Sequence, residues 1–277
     1  MDKRKYSITG HMVVKNEDRW IWYAIMSVID YLDKLIIFDT GSKDQTNRII
    51  EEVLKEKKYS DKVIYEEWGT VSSEEFYKVR QKQIELTDTD YFMVIDGDEI
   101  WYRSSLEELD RILSEEKPAL VATRFINVCG DIFHYRNESR EHYCINGITG
   151  AITIRIYSME IPGICCGGVY GVEGYIDKDG VAVQDGGYKV IVQKGKYFHT
   201  SLLNRSSLQS GDFSIKYRRA KFRADWDARF APDFVFPEVF DIVQRPVYVK
   251  SPYKKDFSII RMIYHTVHKF KELIRYE

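Results

Sequence analysis

Along the first half of the chain, short apolar runs alternate with longer segments whose apolar positions recur every three or four residues. Ile8 to Val14, "KLIIFD", "VIYEEW" and the start of "YFMVIDGDEIW" (91–101) read as strands, and the runs without alternation suit strands covered on both faces. Between them, "NEDRWIWYAIMSVIDYL" carries Trp20, Tyr23, Ala24, Ser27, Val28 and Tyr31 at helical spacing. "GSKDQTNRIIEEVLKEKK" opens with turn and cap residues and then places Ile49, Ile50, Val53 and Leu54 on one helix face. Ser72 with Glu75 forms a capping-box pattern for a third helix through about Leu86, and Ser105 with Glu108 repeats it before Pro118 and the strand-like "ALVATRFINV". The order is βαβαβαβα. Strands joined by such helices run parallel, and in an open parallel sheet the ligand lies beyond the carboxyl ends of the strands, where Asp39 and Asp96 fall.

The second half changes character. From Gly147 to Phe198, glycines and β-formers such as "GAITIRIYSM" and "CCGGVYGVEGYI" predict short antiparallel strands and loops beside the parallel sheet. A basic helix is expected over about 204–227, a loop rich in aromatics and prolines over 229–253, and a closing amphipathic helix in "DFSIIRMIYHTVHKFKELIRYE". The chain thus reads as one α/β domain over 1–228 with a C-terminal extension, 229–277.

At 277 residues and 44% hydrophobic, the chain can bury a full core. Its 41 basic residues nearly balance 43 acidic ones, which argues against nucleic acid as a partner. Cys129, Cys144, Cys165 and Cys166 lack metal-ligand spacing and no leader-like segment precedes them, so free thiols in a reducing cytoplasm are expected. Asn137-Glu138-Ser139 and Asn204-Arg205-Ser206 fit the glycosylation sequon, a short pattern that arises often by chance. No apolar run reaches membrane-spanning length, and the reading is a soluble or peripheral protein. The last helix is basic with Ile259, Ile260, Ile263, Val267, Phe270 and Ile274 along one face. It can lie on an anionic membrane, dock on the protein's own core or join a second copy in a homo-oligomer.

Three carboxylates, Asp96, Asp98 and Glu99, close the apolar strand in "YFMVIDGDEIW", and neighbouring acids repel unless a cation or proton offsets them. Hard divalent cations prefer carboxylate oxygens and leave positions for phosphate, so an Asp-x-Asp beside the crevice of an α/β sheet suits a metal bridging a diphosphate. Gly97 permits close backbone approach. The plain alternative is a solvated loop after a buried strand.

Taken in order, "MVVKNEDRW", "LIIFDTGSKDQT", "EEFYKVRQKQIEL" and "YFMVIDGDEIW" resemble the successive motifs of family 2 glycosyltransferases with the GT-A fold, especially lipopolysaccharide-core-type glucosyltransferases. The resemblance continues through "GVYGVEGYI" and "YFHTSLLNRSSLQSGDFSIKYRRAKFR", covering about positions 11–223. Gly171-Val172-Glu173 lacks the family's histidine before the glutamate, and Thr40 stands where an acid often follows Asp39.

The resemblance implies a GT-A fold: a mostly parallel, Rossmann-like sheet flanked by helices, a smaller antiparallel portion and C-terminal helices. It implies a nucleotide-sugar half at about 1–127 and an acceptor half at about 128–228. The activity implied is inverting, metal-dependent hexosyl transfer from a nucleoside diphosphate sugar, UDP foremost, to a glycan or lipid-linked hydroxyl acceptor in polysaccharide biosynthesis, at the inner face of the membrane where the acceptor is lipid-linked. Carried over by position, Val14, Asn16, Glu17, Asp39, Arg80, Asp96 and Gly97 line the donor; Asp39 contacts the base, and Asp96 with Asp98 faces ribose and metal. Asp98, His199 and Asp96 would hold Mn2+ or Mg2+, and Glu173 is the catalytic base, with Asp177 and Asp185 as rivals. Read without the resemblance, Asp39 can equally cap a turn and Arg80 is a solvated helix arginine. A sugar-nucleotide or glycan-binding protein that kept the fold without catalysis is the competing function. A nucleotidyltransferase would need a glycine-rich basic loop after its first strand, which "VVKNEDRW" is not.

Overall fold

The computed structural model describes residues 4–208 and 228–254. In chain order the first elements are β1 (Ile8–Val14), α1 (Ile21–Val28), β2 (Lys34–Asp39), α2 (Thr46–Leu54), α3 (Lys57–Ser60) and β3 (Val63–Glu67). There follow α4 (Phe76–Glu85), β4 (Tyr91–Asp96), β5 (Glu99–Trp101), α5 (Arg103–Glu115), β6 (Leu120–Cys129) and β7 (His134–Tyr135). The remainder is β8 (Tyr143–Ile145), β9 (Ile148–Gly150), β10 (Ile152–Ser158), β11 (Cys165–Gly167), β12 (Gly174–Ile176), β13 (Val190–Leu202) and β14 (Ala228–Arg229).

Strand β1 pairs in parallel with β2 and β4, and β2 with β3, so β3-β2-β1-β4 is the parallel half that the alternating pattern predicts. Every residue of β1 is buried, as a strand flanked on both edges and both faces must be. Beyond β4 the pattern fails in one respect. Strand β10 lies antiparallel between β4 and β6. Two antiparallel pairings in succession leave β6 running in the direction of β4, so the crossover fixes direction but not adjacency. The long β13 adds to β6 in parallel and then pairs antiparallel with β5, setting His199 opposite Glu99. Two small antiparallel pairs, β8–β9 and β11–β12, complete the architecture, which is the GT-A type expected.

Helix α1 begins at Ile21 rather than near Asn16, because Asn16 takes a positive φ of 55° and residues 16–20 form a turn against the next loop. Neither capping box forms. Glu75 pairs with Lys78, Ser105 donates to the Lys196 carbonyl, and Glu108 accepts the amides of Lys194 and Gly195, which ties α5 to β13. Residues 229–254 are mostly loop, as read. Their aromatics pack inward, with Phe240 against the rings of Tyr23, Trp20 and Phe198. The helices expected over 204–227 and in the last two dozen residues, with the membrane and second-copy readings, lie outside the described residues, save that 204–208 are loop. Among the described residues no helix is long and apolar enough to cross a membrane, and the four cysteines are free.

Candidate active site

The carboxyl ends of β1, β2 and β4 meet in one crevice, tied together by side chains. The Val14 carbonyl accepts both the amide and the hydroxyl of Thr40, at 2.9 and 3.0 Å. Asn16 donates its amide to Ser42 Oγ and accepts the Lys43 amide on Oδ1, both at 2.8 Å, while Glu17 donates its amide to Thr46 Oγ1. Asp39 is buried; its Oδ1 accepts the amides of Gly41 and Ser42 at 2.9 and 2.7 Å. It therefore does cap its turn. Its Oδ2, however, is buried with no hydrogen-bond partner among the described residues.

Arg80 is not a solvated helix arginine. The inward face of α4 comprises Val79, Arg80, Gln83 and Ile84, and Arg80 Nη2 donates to Asp96 Oδ1 at 3.0 Å. Its Nη1 is buried without a partner among the described residues. A second arginine, unforeseen from the sequence, reaches the same carboxylate: Arg155 Nη1 lies 3.4 Å from Asp96 Oδ2, and its Nη2 donates to Glu99 Oε1. The signal was one charged residue in the otherwise apolar alternation "ITIRIYS". Burial pushes the Asp96 carboxyl up, but the charges of Arg155 and Arg80 outweigh it and hold its pKa below the ordinary value. Glu99, fully buried, is driven well above its ordinary value by desolvation despite Arg155. Of the three carboxylates, the Asp96 side chain is 37% exposed and those of Asp98 and Glu99 are 5% and 0%, so Asp96 alone opens broadly toward solvent.

Asp98 points the other way. Its Oδ1 lies 3.6 Å from His199 Nε2 and its Oδ2 lies 3.5 Å from Arg205 Nη1, which also meets Glu17 Oε1 at 2.6 Å. The Thr200 amide and hydroxyl both hold the Asp98 carbonyl, at 2.9 and 3.0 Å, which fixes the turn beside His199. At Gly97 a Cβ would fall 2.9 Å from Glu17 Cγ, so the close approach that this glycine permits is made by the chain itself.

Glu173 lies in the loop joining β11 to β12 and accepts the Gly171 amide on Oε2 at 2.5 Å; Gly168 and Gly171 take positive φ. It faces a cavity of about 380 Å³ whose wall includes Arg80, Asp96, Arg155, Tyr157, Glu173 and Tyr175. That size suits a small-molecule site. The rival Asp177 is spent on the amides of Asp179 and Val181 and the hydroxyl of Tyr188, and Asp185 is exposed; neither lines the cavity.

A carboxylate oxygen and an imidazole nitrogen 3.6 Å apart form a donor pair that fits an ion of the manganese or magnesium class. Among the described residues no group of three or more His, Cys, Asp and Glu converges on one point.

The family model for glycosyl transferase family 2 matches residues 11–171. Among curated proteins, a TPR repeat-containing protein of Synechococcus elongatus is 31% identical over 88 residues, 32% of this chain and 19% of its own length. Among solved structures, S. aureus TarS 1–349 in complex with UDP matches at a TM-score of 0.45 and 14% identity, over 70% of this chain and 60% of that one. The mannosyltransferase PcManGT from Pyrobaculum calidifontis, in complex with GDP-Man and Mn2+, matches at 0.46 and 13%, over 78% and 61%. The chain spans less than two thirds of the length of each of these proteins.

Proposed function

Because the chain belongs to glycosyl transferase family 2, we propose that it moves a hexosyl group from a nucleoside diphosphate sugar to a hydroxyl of a glycan or lipid-linked acceptor, with inversion at the anomeric carbon. The observation that carries this reading is one cavity walled by both the first acid of the Asp-x-Asp pair, Asp96, and a carboxylate from a separate loop, Glu173. Inversion needs a base on the face opposite the leaving group, and therefore outside the acidic turn.

In this reading the turns at Val14, Asn16 and Glu17 wall the nucleotide. The buried Asp39 Oδ2 accepts a base N–H, as the uracil of a UDP-sugar presents, and Asp96 with Arg80 and Gly97 faces ribose and donor. Asp98 and His199, with Asp96 at the margin, would hold Mn2+ or Mg2+, which would supply positive charge against that developing on a diphosphate leaving group. Glu173 accepts the proton of the acceptor hydroxyl as that oxygen bonds to the anomeric carbon, and the carbon–phosphate oxygen bond breaks with its electrons leaving on the diphosphate. Tyr157 and Tyr175 give the cavity apolar surface on which a sugar face can rest.

Incubation with a panel of nucleoside diphosphate sugars and Mn2+, followed by nucleotide release, tests the proposal. One donor should be consumed, and Asp98→Ala should abolish the metal-dependent turnover while His199→Ala weakens it. Wild-type turnover by Asp98→Ala would overturn the site assignment. Donor binding without release to any hydroxyl acceptor would instead favour a binding protein on this fold.

A further inference from the structure

Arg155 has no chemical role in the reading above, yet it lines the same cavity and its guanidinium bonds Asp96, Glu99 and Tyr197. Asp96 and Glu99 are the first and last residues of a tight turn with Gly97 and Asp98 at its tip. One guanidinium holds both ends, through Nη1 on Asp96 Oδ2 at 3.4 Å and Nη2 on Glu99 Oε1. The guanidinium is itself held: Nε and Nη2 donate to Tyr197 Oη at 3.3 and 3.1 Å, and Thr153 Oγ1 meets the same hydroxyl at 3.1 Å. The Tyr197 ring is stacked with Trp101 at 5.1 Å and with Phe125 at 5.5 Å, so it has little freedom.

A planar, rigid fork across residues i and i+3 restrains rotation of the tip between them. The tip carries Asp98. Net stability is a weak reason for such a buried ion pair, since desolvation offsets most of its Coulomb gain. We propose that Arg155 is a positioning residue: by clamping both ends of the Asp96–Glu99 turn it fixes Asp98 against His199, and so sets the affinity of the site for a divalent cation and for the nucleotide diphosphate that the cation joins. The inference rests on the reading of the site as a nucleotide-sugar site.

The test is calorimetric titration of the full chain with UDP and with GDP, with and without MnCl2, alongside Mn2+ binding alone followed by electron paramagnetic resonance. Arg155→Met should weaken Mn2+ binding and Mn2+-dependent nucleotide binding by about 10- to 100-fold, the range for residues that orient metal ligands. Arg155→Lys restores the charge but cannot span both carboxylates, so it should recover only part of the loss. Tyr197→Phe keeps the guanidinium but removes its anchor and should give a smaller loss, about threefold to tenfold. A folded Arg155→Met protein with wild-type affinities overturns the proposal. If that variant does not fold, unchanged affinities in both Arg155→Lys and Tyr197→Phe overturn it equally. Wild-type protein that binds Mn2+ but neither nucleotide removes the transferase reading instead, and the Mn2+ titrations then decide the role of Arg155 alone.

Discussion

Replacing Gly97 by alanine perturbs the site by one methyl group whose neighbours are known. The new Cβ would stand 2.9 Å from Glu17 Cγ, 3.2 Å from Glu17 Cβ and 3.3 Å from Val14 Cγ1. The shortest of these is closer than side-chain carbons approach in folded proteins, so Glu17 has to move. It is poorly placed to do so: its amide is bonded to Thr46 Oγ1 and its carboxylate to Arg205, and β1, which ends at Val14, is buried along its whole length. Overpacking of this kind costs about 1–3 kcal/mol. At roughly 2–4 °C per kcal/mol for a domain of this size, the melting temperature should fall by about 4–8 °C for a mid-range cost. Because Glu17 shares Arg205 with Asp98, donor turnover should fall as well. Thermal unfolding by circular dichroism and nucleotide release measured on the same preparation check both effects. A melting temperature within 1 °C of wild type would mean that Glu17 yields freely and that the crevice is not packed as described.

Glu173→Gln keeps shape while removing the basic oxygen, so transfer should fall by on the order of 10²–10⁴ with nucleotide affinity nearly unchanged in titration calorimetry; near-normal transfer by the folded variant would refute its role as the base. His11 is fully buried in β1, stacked on Phe92 at 4.5 Å with Nε2 2.6 Å from Thr87 Oγ1, and burial, helped by the charge of Arg80, lowers its pKa well below 6.5. The unfolded chain then takes the proton first, so stability should decline as pH falls below 6.5, by up to about 1.4 kcal/mol per unit until the folded pKa is reached. Urea titrations at pH 7.5 and 5.5 should show that decline in wild type and lack this contribution in His11→Gln.

The sheet's parallel half was legible because β1, β2 and β4 are buried almost throughout and its helices carry a clear apolar face, both of which leave a trace in the sequence; the edge strand β3 is largely exposed and was read from its β-forming residues alone. The acids at the ends of β2 and β4 were legible for the same reason, since position along a strand fixes the end of the sheet at which they emerge. Pairing leaves no such trace. Nothing in "ITIRIYS" says that it slides between β4 and β6, so Arg155 could not be connected to Asp96 or Glu99 from sequence. From helix periodicity alone Arg80 reads as solvated, because the counter-ion that draws it inward lies 16 residues away on another element. Ser105 and Glu108 have the spacing of a cap, but their side chains are drawn instead to the backbone of β13, more than 80 residues on.

The insertion of β10 also sets a timetable for synthesis. During translation the acidic turn leaves the ribosome with three like charges close together, and the guanidinium that clamps its two ends follows only 56 to 59 residues later. Until then β4 has an open edge on that side, and β6, already made, is the wrong strand to close it. An unpaired strand edge is a surface on which folding errors begin, so this side of β4 stays open to them until β10 is made. The strand that closes this edge also carries the missing counter-charge, so one stretch of chain both closes the sheet and quiets the acidic turn.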